Sequence, residues 1–488
     1  MQNNRALILL LCLLAALHVF IFAAAFPFYS VVDEQMHVDL AVKYAQGKIP
    51  RTLAAADAET APYLAVFSSP EFLQAGGTIP PPAWQQPIAT VRDQLAARQA
   101  FFAIQFQNHE ASQPPLYYAV AGAWWRLGKC LHLDGLTLLY WLRFLNVVGI
   151  GALVWLGWWA ARKIFPENNF VQGAVPAFIA LLPQSAFYAV NNDIAAPLAF
   201  GVAFVLLLKF WAAETPSARL TAGLGLALAA TFLAKISCLP LLAVAGLISA
   251  LKIFRVAGRG KWGAAISSGL VLTVTAGLPV AAWLAWCKIN FGDLTGAAVK
   301  IKFLNWTDKP VAEWLHHPIF TASGGWFFLK GNLASFWFGE QLWRRAPLAN
   351  DDVLSTVVIV SLGALALTLT ALLWPRSGFT MPQRTAVVFS LAFFVVTLAF
   401  FALLSVRYDF QDCFYPSREK PFFVSGRLML GMLIPFLILF VAGLDRLLKN
   451  FSAGMKVCFL VLLLGFLLAS EITTDLPVFA SAYNWFHN

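Results

Sequence analysis

Charged side chains are scarce in this sequence. They make up 12% of its 488 residues, whereas hydrophobic residues make up 60%. Soluble globular proteins carry about a quarter charged residues, and the mean hydropathy of this chain is +0.71. The composition therefore excludes a soluble enzyme with a single anchor and indicates a chain that crosses a membrane many times.

Patterns that bind metals or nucleic acids are also missing from the sequence. The six cysteines are scattered and form no CxxC pair, so we predict no metal or redox motif. The net charge is +10, but the basic residues are dispersed over short turns and form no continuous patch. This dispersion argues against a nucleic-acid partner.

Long apolar stretches, in contrast, are abundant. A helix that crosses a bilayer needs about 20 apolar residues, and the stretches that qualify lie near 6–28, 137–161, 172–190, 193–213, 218–235, 236–254, 262–288, 352–375, 384–406, 426–447 and 454–472. The sequence thus predicts an all-α polytopic membrane protein with a bundle of about 11 (11–13) transmembrane helices. We interpret the shorter apolar segment 114–130 as an aromatic interfacial helix, with a short additional crossing as the alternative.

The turns between these stretches differ in their basic residues. Alternate turns contain Arg162 and Lys163, or Arg255 and Arg259, and the turns between them are poor in bases. Because lysine and arginine are enriched on the cytoplasmic side, the N-terminus is predicted to be cytoplasmic and both long loops extracytoplasmic. We therefore divide the chain into an N-terminal transmembrane module (1–288) that includes the first outer loop (29–136), a second outer loop with an interfacial helix (289–351), and C-terminal transmembrane helices (352–488).

Two adjacent acids, Asp33 and Glu34, follow the first apolar stretch. They begin the segment "DEQMHVDLAVKYAQGKIP", whose apolar spacing predicts a helix. Asp33 and His37 are four residues apart and share a face of that helix. Ionisable groups at a membrane surface often mark a functional site, but an aspartate that caps the helix is the alternative.

Further polar residues are predicted on the same outer side. His109, Glu110 and Gln113 lie in "NHEASQPPLYY" at the end of the first outer loop, and Asn192 and Asp193 lie in the turn "NND" between two apolar stretches. Asparagine and aspartate also suit plain turns. An ordinary loop therefore remains the alternative for both segments.

Basic and aromatic residues complete the outer face. Lys235, Arg418 and Arg427 lie in outer turns against the positive-inside bias, and arginine has a planar fork suited to phosphate. Snorkelling to lipid headgroups is the alternative. The aromatic stretch 323–345 predicts an interfacial helix whose Trp337 and Glu340 could lie against a lipid-linked substrate.

The order of these motifs carries a family resemblance. The acid pair is followed by "PPLYY", by "LRFLNVVGIGALVWLGWWAARKIFP", by "NND" and by a late "GR" at a helix start. In this order the chain resembles the GT-C superfamily of polyprenyl-phosphate-dependent glycosyltransferases, in the bacterial branch that includes protein O-mannosyltransferases and aminoarabinose transferases. "SFWFGEQLW" is similar to a subgroup of that branch known as predicted membrane proteins.

The resemblance implies an inverting glycosyltransferase in the bacterial inner membrane, with its active site on the extracytoplasmic side. It would move a sugar from a polyprenyl-phosphate carrier to an acceptor glycan, lipid or protein. The implied roles are Asp33 as the catalytic base, Glu34 as the residue that orients the acceptor or supports Asp33, Arg427, Arg418 and Lys235 as ligands of the donor phosphate, and His37, His109, Glu110, Gln113, Asn192, Asp193, Trp337 and Glu340 as acceptor or sugar ligands.

No cofactor is required for a single displacement in which a phosphate leaves. Some members of the superfamily nonetheless bind a divalent cation, for which Asp33, Glu34 and Asp193 could supply oxygen ligands. Two other classes remain open. A lipid-linked sugar transporter or flippase predicts paired inverted halves, and no such repeat is visible in the sequence. A non-catalytic membrane scaffold would use Asp33 and Glu34 only as caps.

Overall fold

The computed structural model describes residues 2–72, 74, 76–374, 378–413 and 416–487. Its regular structure is almost entirely helical. The helices are α1 Gln2–Ala25, α2 Glu34–Ala45, α3 Thr60–Phe67, α4 Ile88–Ile104, α5 Pro115–Cys130, α6 Gly135–Arg143, α7 Leu145–Ile164, α8 Asn169–Ala180, α9 Ala195–Ala212, α10 Ala218–Ala234, α11 Leu239–Ala257, α12 Trp262–Leu272, α13 Leu278–Phe291, α14 Ala297–Phe303, α15 Val311–Trp314, α16 Ala322–Phe338, α17 Asp351–Leu373, α18 Met381–Arg407, α19 Leu433–Leu447, α20 Ala453–Thr474 and α21 Leu476–Phe479.

Short elements complete the chain. Tight 3₁₀ turns cover Ala83–Gln85, Ser185–Phe187, Ile236–Cys238, Pro318–Phe320, Gly426–Met432 and Trp485–His487, and a π turn at Thr273–Gly277 joins α12 to α13. The strands β1 Thr307–Asp308 and β4 Tyr408–Asp409 pair antiparallel, as do β2 Leu342–Trp343 and β3 Ala346–Pro347.

Eleven apolar helical stretches account for the predicted crossings. Within the described ranges, nine are long and apolar enough to span a membrane: Arg5–Ala25, Gly135–Ile164, Ala195–Ala212, Ile236–Ala257, Trp262–Phe291, Asp351–Leu373, Met381–Arg407, Gly426–Leu447 and Ala453–Thr474. Asn169–Ala180 and Ala218–Ala234 are shorter apolar helices. The predicted class, an all-α multi-pass membrane protein, is confirmed.

One of the predicted stretches is only partly helical. The stretch 172–190 was expected to be one helix, but α8 ends at Ala180 and residues 181–194 form a buried irregular loop. Pro183 disfavours helix at the residue before it. The backbone of this loop is satisfied by side chains, since the amide of Asn146 donates to two of its carbonyls and Glu34 accepts from one of its N–H groups. The helix therefore gives way where polar side chains replace its hydrogen bonds.

The stretch Gly426–Leu447 lies at the centre of the bundle, and 89% of its apolar 18-residue segment is buried. α8, α9, α17 and α18 pack around α19. At its outer end the Gly426–Met432 turn packs on α16 so closely that a Cβ atom on Gly426 would lie 1.8 Å from the carbonyl oxygen of Asn332. The residue after Gly426 is thus placed at the middle of the molecule.

The two predicted interfacial helices differ in their surroundings. α5 has 16 residues, is not among the spanning helices and packs on α2, where a Cβ atom on Gly122 would lie 2.7 Å from the backbone nitrogen of Ala45. The helix predicted within 323–345 instead ends at Phe338, and its C-terminal half is buried. Gly339, with φ 79°, turns the chain into the β2–β3 hairpin.

Candidate active site

Acids and bases from seven separate segments meet at one end of the bundle. The acids are Asp33, Glu110, Asp193 and Glu340, and the bases are Lys235, Lys300 and Arg427. We call this set, together with His109, the polar cluster. Each member lies in a loop, in a short helix or next to the end of a helix. Half of the members are buried and the other half are partly exposed.

Arg427 is the centre of the polar cluster. Its Nε donates to Glu340 at 3.0 Å, one Nη donates to Asp193 at 3.1 Å, and the other Nη donates to Asp33 at 3.4 Å. The planar guanidinium has five N–H donors in fixed directions. Three are used here, so two N–H groups remain for a ligand.

Lys235 neutralises Asp193 on the far side of Arg427. Its ammonium donates to Asp193, and both side chains are nearly completely buried. The turn that carries Asp193 is held by Asn191, whose side chain accepts from the backbone N–H of Asp193 at 2.8 Å. The side-chain amide of Asn192 donates to Gln113 at 3.3 Å and joins this turn to the end of the first outer loop.

His109 and Glu110 form the other side of the polar cluster. The Nε2 of His109 lies 3.2 Å from Asp33 and 3.6 Å from Glu110. Glu110 accepts from the ammonium of Lys300 and, at 2.5 Å, from the amide of Gln113. The carboxylate of Asp33 is thus bounded by an imidazole on one side and a guanidinium on the other.

Asp33 is the acid that faces outward. Its side chain is 21% exposed, compared with 12% for Glu340, 3% for Glu110 and 1% for Asp193. It occupies the N-cap position of α2, but its φ is 64° and its side chain makes no capping hydrogen bond. The side chain of Asp33 therefore does not act as a cap. A non-glycine residue in this left-handed conformation is uncommon and can mark a functional site.

The electrostatics of the polar cluster keep its outer acids ionised. Burial opposes ionisation of Asp33, but the hydrogen bond from His109 and the charges of Lys300 and Arg427 outweigh it and hold the pKa of Asp33 well below its usual range. The same balance, with Lys300 as the main opposing charge, lowers the pKa of Glu110 to about 2. Both groups are carboxylates at neutral pH.

Glu34 does not belong to the polar cluster, although it follows Asp33 directly. It is completely buried and makes a two-pronged ion pair with Arg143, at 2.7 and 2.6 Å. Its oxygens also accept from the backbone N–H groups of Tyr29 and Val190. A role for Glu34 in orienting an acceptor or binding a cation is inconsistent with this geometry, because both of its oxygens are occupied inside the protein.

Three other predicted residues also lie away from the polar cluster. His37 is buried, with its Nδ1 2.7 Å from the hydroxyl of Tyr118, and burial lowers its pKa to about 4. Trp337 donates to Ser361 and lines an apolar cavity of about 190 Å³ between α8, α16, α17, α19 and α20. Arg418 is exposed and pairs with Asp409 at 3.2 Å. We therefore remove Trp337 and Arg418 from the candidate site.

Sequence reasoning missed two bases that pair with acids predicted for the site. Lys300 lies in α14 and pairs with Glu110, and Arg143 lies at the end of α6 and pairs with Glu34. Both are bases in positions where the positive-inside bias predicts few. Lys235 and Arg427 were selected because they are bases in predicted outer turns, and the same criterion selects Lys300 and Arg143.

Several buried polar atoms of the site have no protein partner within the described part of the chain. They include Nδ1 of His109, Oδ1 of Asn192 and Oε1 of Glu340. Buried polar atoms are nearly always paired, with protein groups, water or a ligand. These atoms and the two spare N–H groups of Arg427 can therefore bind a polyhydroxylated or phosphorylated ligand.

A metal-binding geometry is partly present. Among the described residues, one ligand atom each from Asp33, His109 and Glu110 lies within 4.8 Å of the others. Carboxylate oxygens and an imidazole suit several divalent cations. The same carboxylates already pair with Arg427 and Lys300. An ion bound there must therefore displace protein cations.

Searches of known proteins give one family and several solved structures. No curated protein sequence matches the chain. The Archaeoglobus fulgidus oligosaccharyltransferase tethered to an acceptor peptide aligns at 12% identity and a TM-score of 0.45, over 97% of this chain and 55% of its own. ArnT from Cupriavidus metallidurans, bound to undecaprenyl phosphate, aligns at 13% identity and a TM-score of 0.44, over 96% of this chain and 75% of its own.

A second structure of the Archaeoglobus oligosaccharyltransferase, AglB with an inhibitory peptide and a dolichol-phosphate, aligns at 11% identity and a TM-score of 0.42, over 98% of this chain and 56% of its own. The chain thus spans just over half the length of the archaeal enzyme. A family model described as "Predicted membrane protein (DUF2142)" matches residues 17–408, and the chain therefore belongs to this family.

Proposed function

We propose that this protein is an inverting glycosyltransferase that moves a sugar from a polyprenyl-phosphate carrier to an acceptor hydroxyl on the extracytoplasmic side of a bacterial inner membrane. The observation that carries the proposal is the contact between Arg427 and Asp33. It puts the cation for a leaving phosphate beside an outward-facing carboxylate. Both groups lie at the end of an apolar bundle, where a lipid-linked donor can reach them.

In an inverting displacement the acceptor hydroxyl and the leaving phosphate lie on opposite sides of the anomeric carbon. The sugar therefore has to enter between Asp33 and Arg427 and replace their 3.4 Å contact. The acceptor oxygen forms the new C–O bond, the C–O bond to the phosphate breaks with its electron pair, and the acceptor proton passes to Asp33. The donor phosphate is a diester with one negative charge and leaves as a monoester with more charge. The spare N–H groups of Arg427 stabilise this added charge in the transition state.

The lowered pKa makes Asp33 a weak base, so it takes the acceptor proton late in the displacement. A general base at the correct distance contributes about 10²–10⁴-fold to the rate. The depressed pKa of Asp33 guarantees that the carboxylate is ionised before the acceptor binds. Lys235 keeps Asp193 neutralised, so Arg427 remains available to the donor.

The experiment compares wild type with Asp33→Asn in neutral-lipid nanodiscs. Undecaprenyl-phosphate sugars with a radiolabelled hexose, pentose or amino sugar serve as donors, and extracted envelope lipids and glycans serve as acceptors. Transfer should fall by about 10²–10⁴-fold in Asp33→Asn, with unchanged binding of undecaprenyl phosphate. Asp93→Asn, which alters an exposed acid of α4 in the same loop, is the control and should transfer normally. If the wild type transfers sugar and Asp33→Asn turns over at the same rate, Asp33 is not the base.

A further inference from the structure

We propose that Lys300 occupies the place of a divalent cation in the polar cluster, so that the site works with a tethered ammonium instead of a bound metal ion. The effect of Lys300 on catalysis rests on the proposed function. Its structural part concerns only the carboxylate–histidine group Asp33, His109 and Glu110.

The carboxylate oxygens of this group are already engaged. Glu110 accepts from Lys300 with one oxygen and from Gln113 with the other. Asp33 accepts from His109 with one oxygen and from Arg427 with the other. A divalent ion between these residues would have to displace the ammonium of Lys300 or lie close to it, where like charges repel. The carboxylates and the imidazole are suitable metal ligands, but the carboxylates are already bonded to protein groups.

Lys300 is held in this position by its own helix. α14 begins after Gly296, whose φ is 69°, and a Cβ atom at Gly296 would lie 2.5 Å from the Cβ of Ser112. At the other end of α14, the ring of Phe303 stacks on His109 with centroids 5.4 Å apart. The carboxylate of Asp293 accepts from the hydroxyl of Thr295 at 2.8 Å and orders the turn before the helix.

These contacts distinguish Lys300 from an ordinary surface lysine. Both ends of α14 are fixed against residues 109–112, and the ammonium between them meets Glu110. Lys302, two residues further along the same helix, is exposed. The side chain of Lys300 is 32% exposed, and the carboxylate of Glu110 with which it pairs is 3% exposed. A lysine ammonium is a cation at neutral pH.

The charge balance gives this cation a function. The polar cluster contains four acids (Asp33, Glu110, Asp193, Glu340) and three bases (Lys235, Lys300, Arg427), a balance of one negative charge when His109 is neutral. Without Lys300 the balance would be two negative charges, which repel a donor phosphate. Lys300 therefore supplies charge that a metal ion would otherwise supply.

The test measures binding of Mn²⁺ to the purified full-length protein by electron paramagnetic resonance, which needs no sugar substrate. Wild type and Lys302→Met should bind no Mn²⁺ at the polar cluster. Lys300→Met should gain one site per chain, His109→Ala in the Lys300→Met background should lose it, and Lys300→Arg, which keeps the charge, should bind none. Tryptophan-fluorescence melting verifies that each variant is folded.

Two results would overturn the assignment: one Mn²⁺ per chain in wild type that His109→Ala abolishes, or no gain of Mn²⁺ in a folded Lys300→Met variant. In the transfer assay, wild-type turnover should be insensitive to EDTA. Lys300→Met should lose at least tenfold and recover part of this with Mn²⁺. Because the resonance measurement is independent of transfer, a gained Mn²⁺ site without any wild-type transfer would refute the glycosyltransferase and leave the cation assignment supported.

Discussion

Replacing Arg427 by lysine separates the charge of this residue from its geometry. Arg427 holds Glu340, Asp193 and Asp33 with three different N–H groups at 3.0, 3.1 and 3.4 Å. A lysine ammonium is a point charge without the planar fork, so it can keep one of these contacts well and loses the other two. The net charge of the site does not change.

The magnitude follows from the contacts that are lost. A hydrogen bond to a charged group contributes about 1.5–3 kcal/mol. The two N–H groups of Arg427 that remain for the donor phosphate belong to the same fork, and a lysine ammonium can replace only one of them well. Losing one such bond, worth about 1.5–3 kcal/mol, corresponds to about a tenfold to hundredfold change in an equilibrium constant, since each 1.4 kcal/mol is about tenfold. Donor affinity should fall by this factor.

The assay is the dissociation constant of undecaprenyl phosphate for the protein in nanodiscs of neutral lipid, which removes competing anionic headgroups. Arg418→Lys is the matched control, because Arg418 is an exposed base of the same face that pairs only with residues near Asp409. Its affinity should equal that of wild type. Equal affinities for Arg427→Lys and wild type would refute the phosphate assignment, and a loss in Arg418→Lys instead would move the site to Arg418.

Three further outcomes test other parts of the structure. Glu34→Gln should lower the melting temperature strongly, because it leaves the buried Arg143 charge unpaired at a cost of about 3–5 kcal/mol; a melting temperature equal to wild type would contradict the buried pair. Glu110 has a folded-state pKa of about 2 against an ordinary value of 4.5, so its stabilising effect is complete above about pH 4.5 and is lost as the pH falls toward 2. The difference in melting temperature between wild type and Glu110→Gln should therefore be constant from about pH 8 to 5 and shrink below that, and a difference that grows on acidification would be inconsistent with an ionised Glu110. In a cysteine-free background, a cysteine at the exposed position Gln94 should react with an impermeant maleimide on intact cells and one at Gly258 only after permeabilisation; the reverse pattern would put the polar cluster on the cytoplasmic side.

The spanning helices could be predicted because their signal is local. A run of about 20 apolar residues is sufficient to define a crossing, and each of the eleven runs contains an apolar helix in the structure. The failure at 172–190 has the opposite cause. The loop at 181–194 is stabilised by Asn146 and Glu34, which are distant in sequence, and no local pattern reveals that their side chains satisfy its backbone.

The candidate site was predictable because ionisable residues recurred at the predicted membrane surface, although each had an ordinary alternative role. Asp33, Asp193 and Arg427 are three of these residues, and the structure brings them together. The sequence does not show in which direction a side chain points. Glu34 follows Asp33, yet its side chain meets Arg143, 109 residues away. Trp337 and Glu340 are three residues apart, but the turn at Gly339 separates the apolar core from the polar cluster.

The central position of Arg427 has a consequence for biosynthesis. Domains form from the N-terminus as the chain is made, and Asp33, Asp193 and Glu340 all emerge before their shared arginine. Lys235 follows Asp193 by only 42 residues, so this acid gains a counter-charge while its own helices are being inserted. Glu340 has to wait for Arg427, whereas Asp33 already lies beside His109 and near the charge of Lys300. A chain that ends before Arg427 would thus retain its inserted helices but leave Glu340 without the arginine that pairs with it.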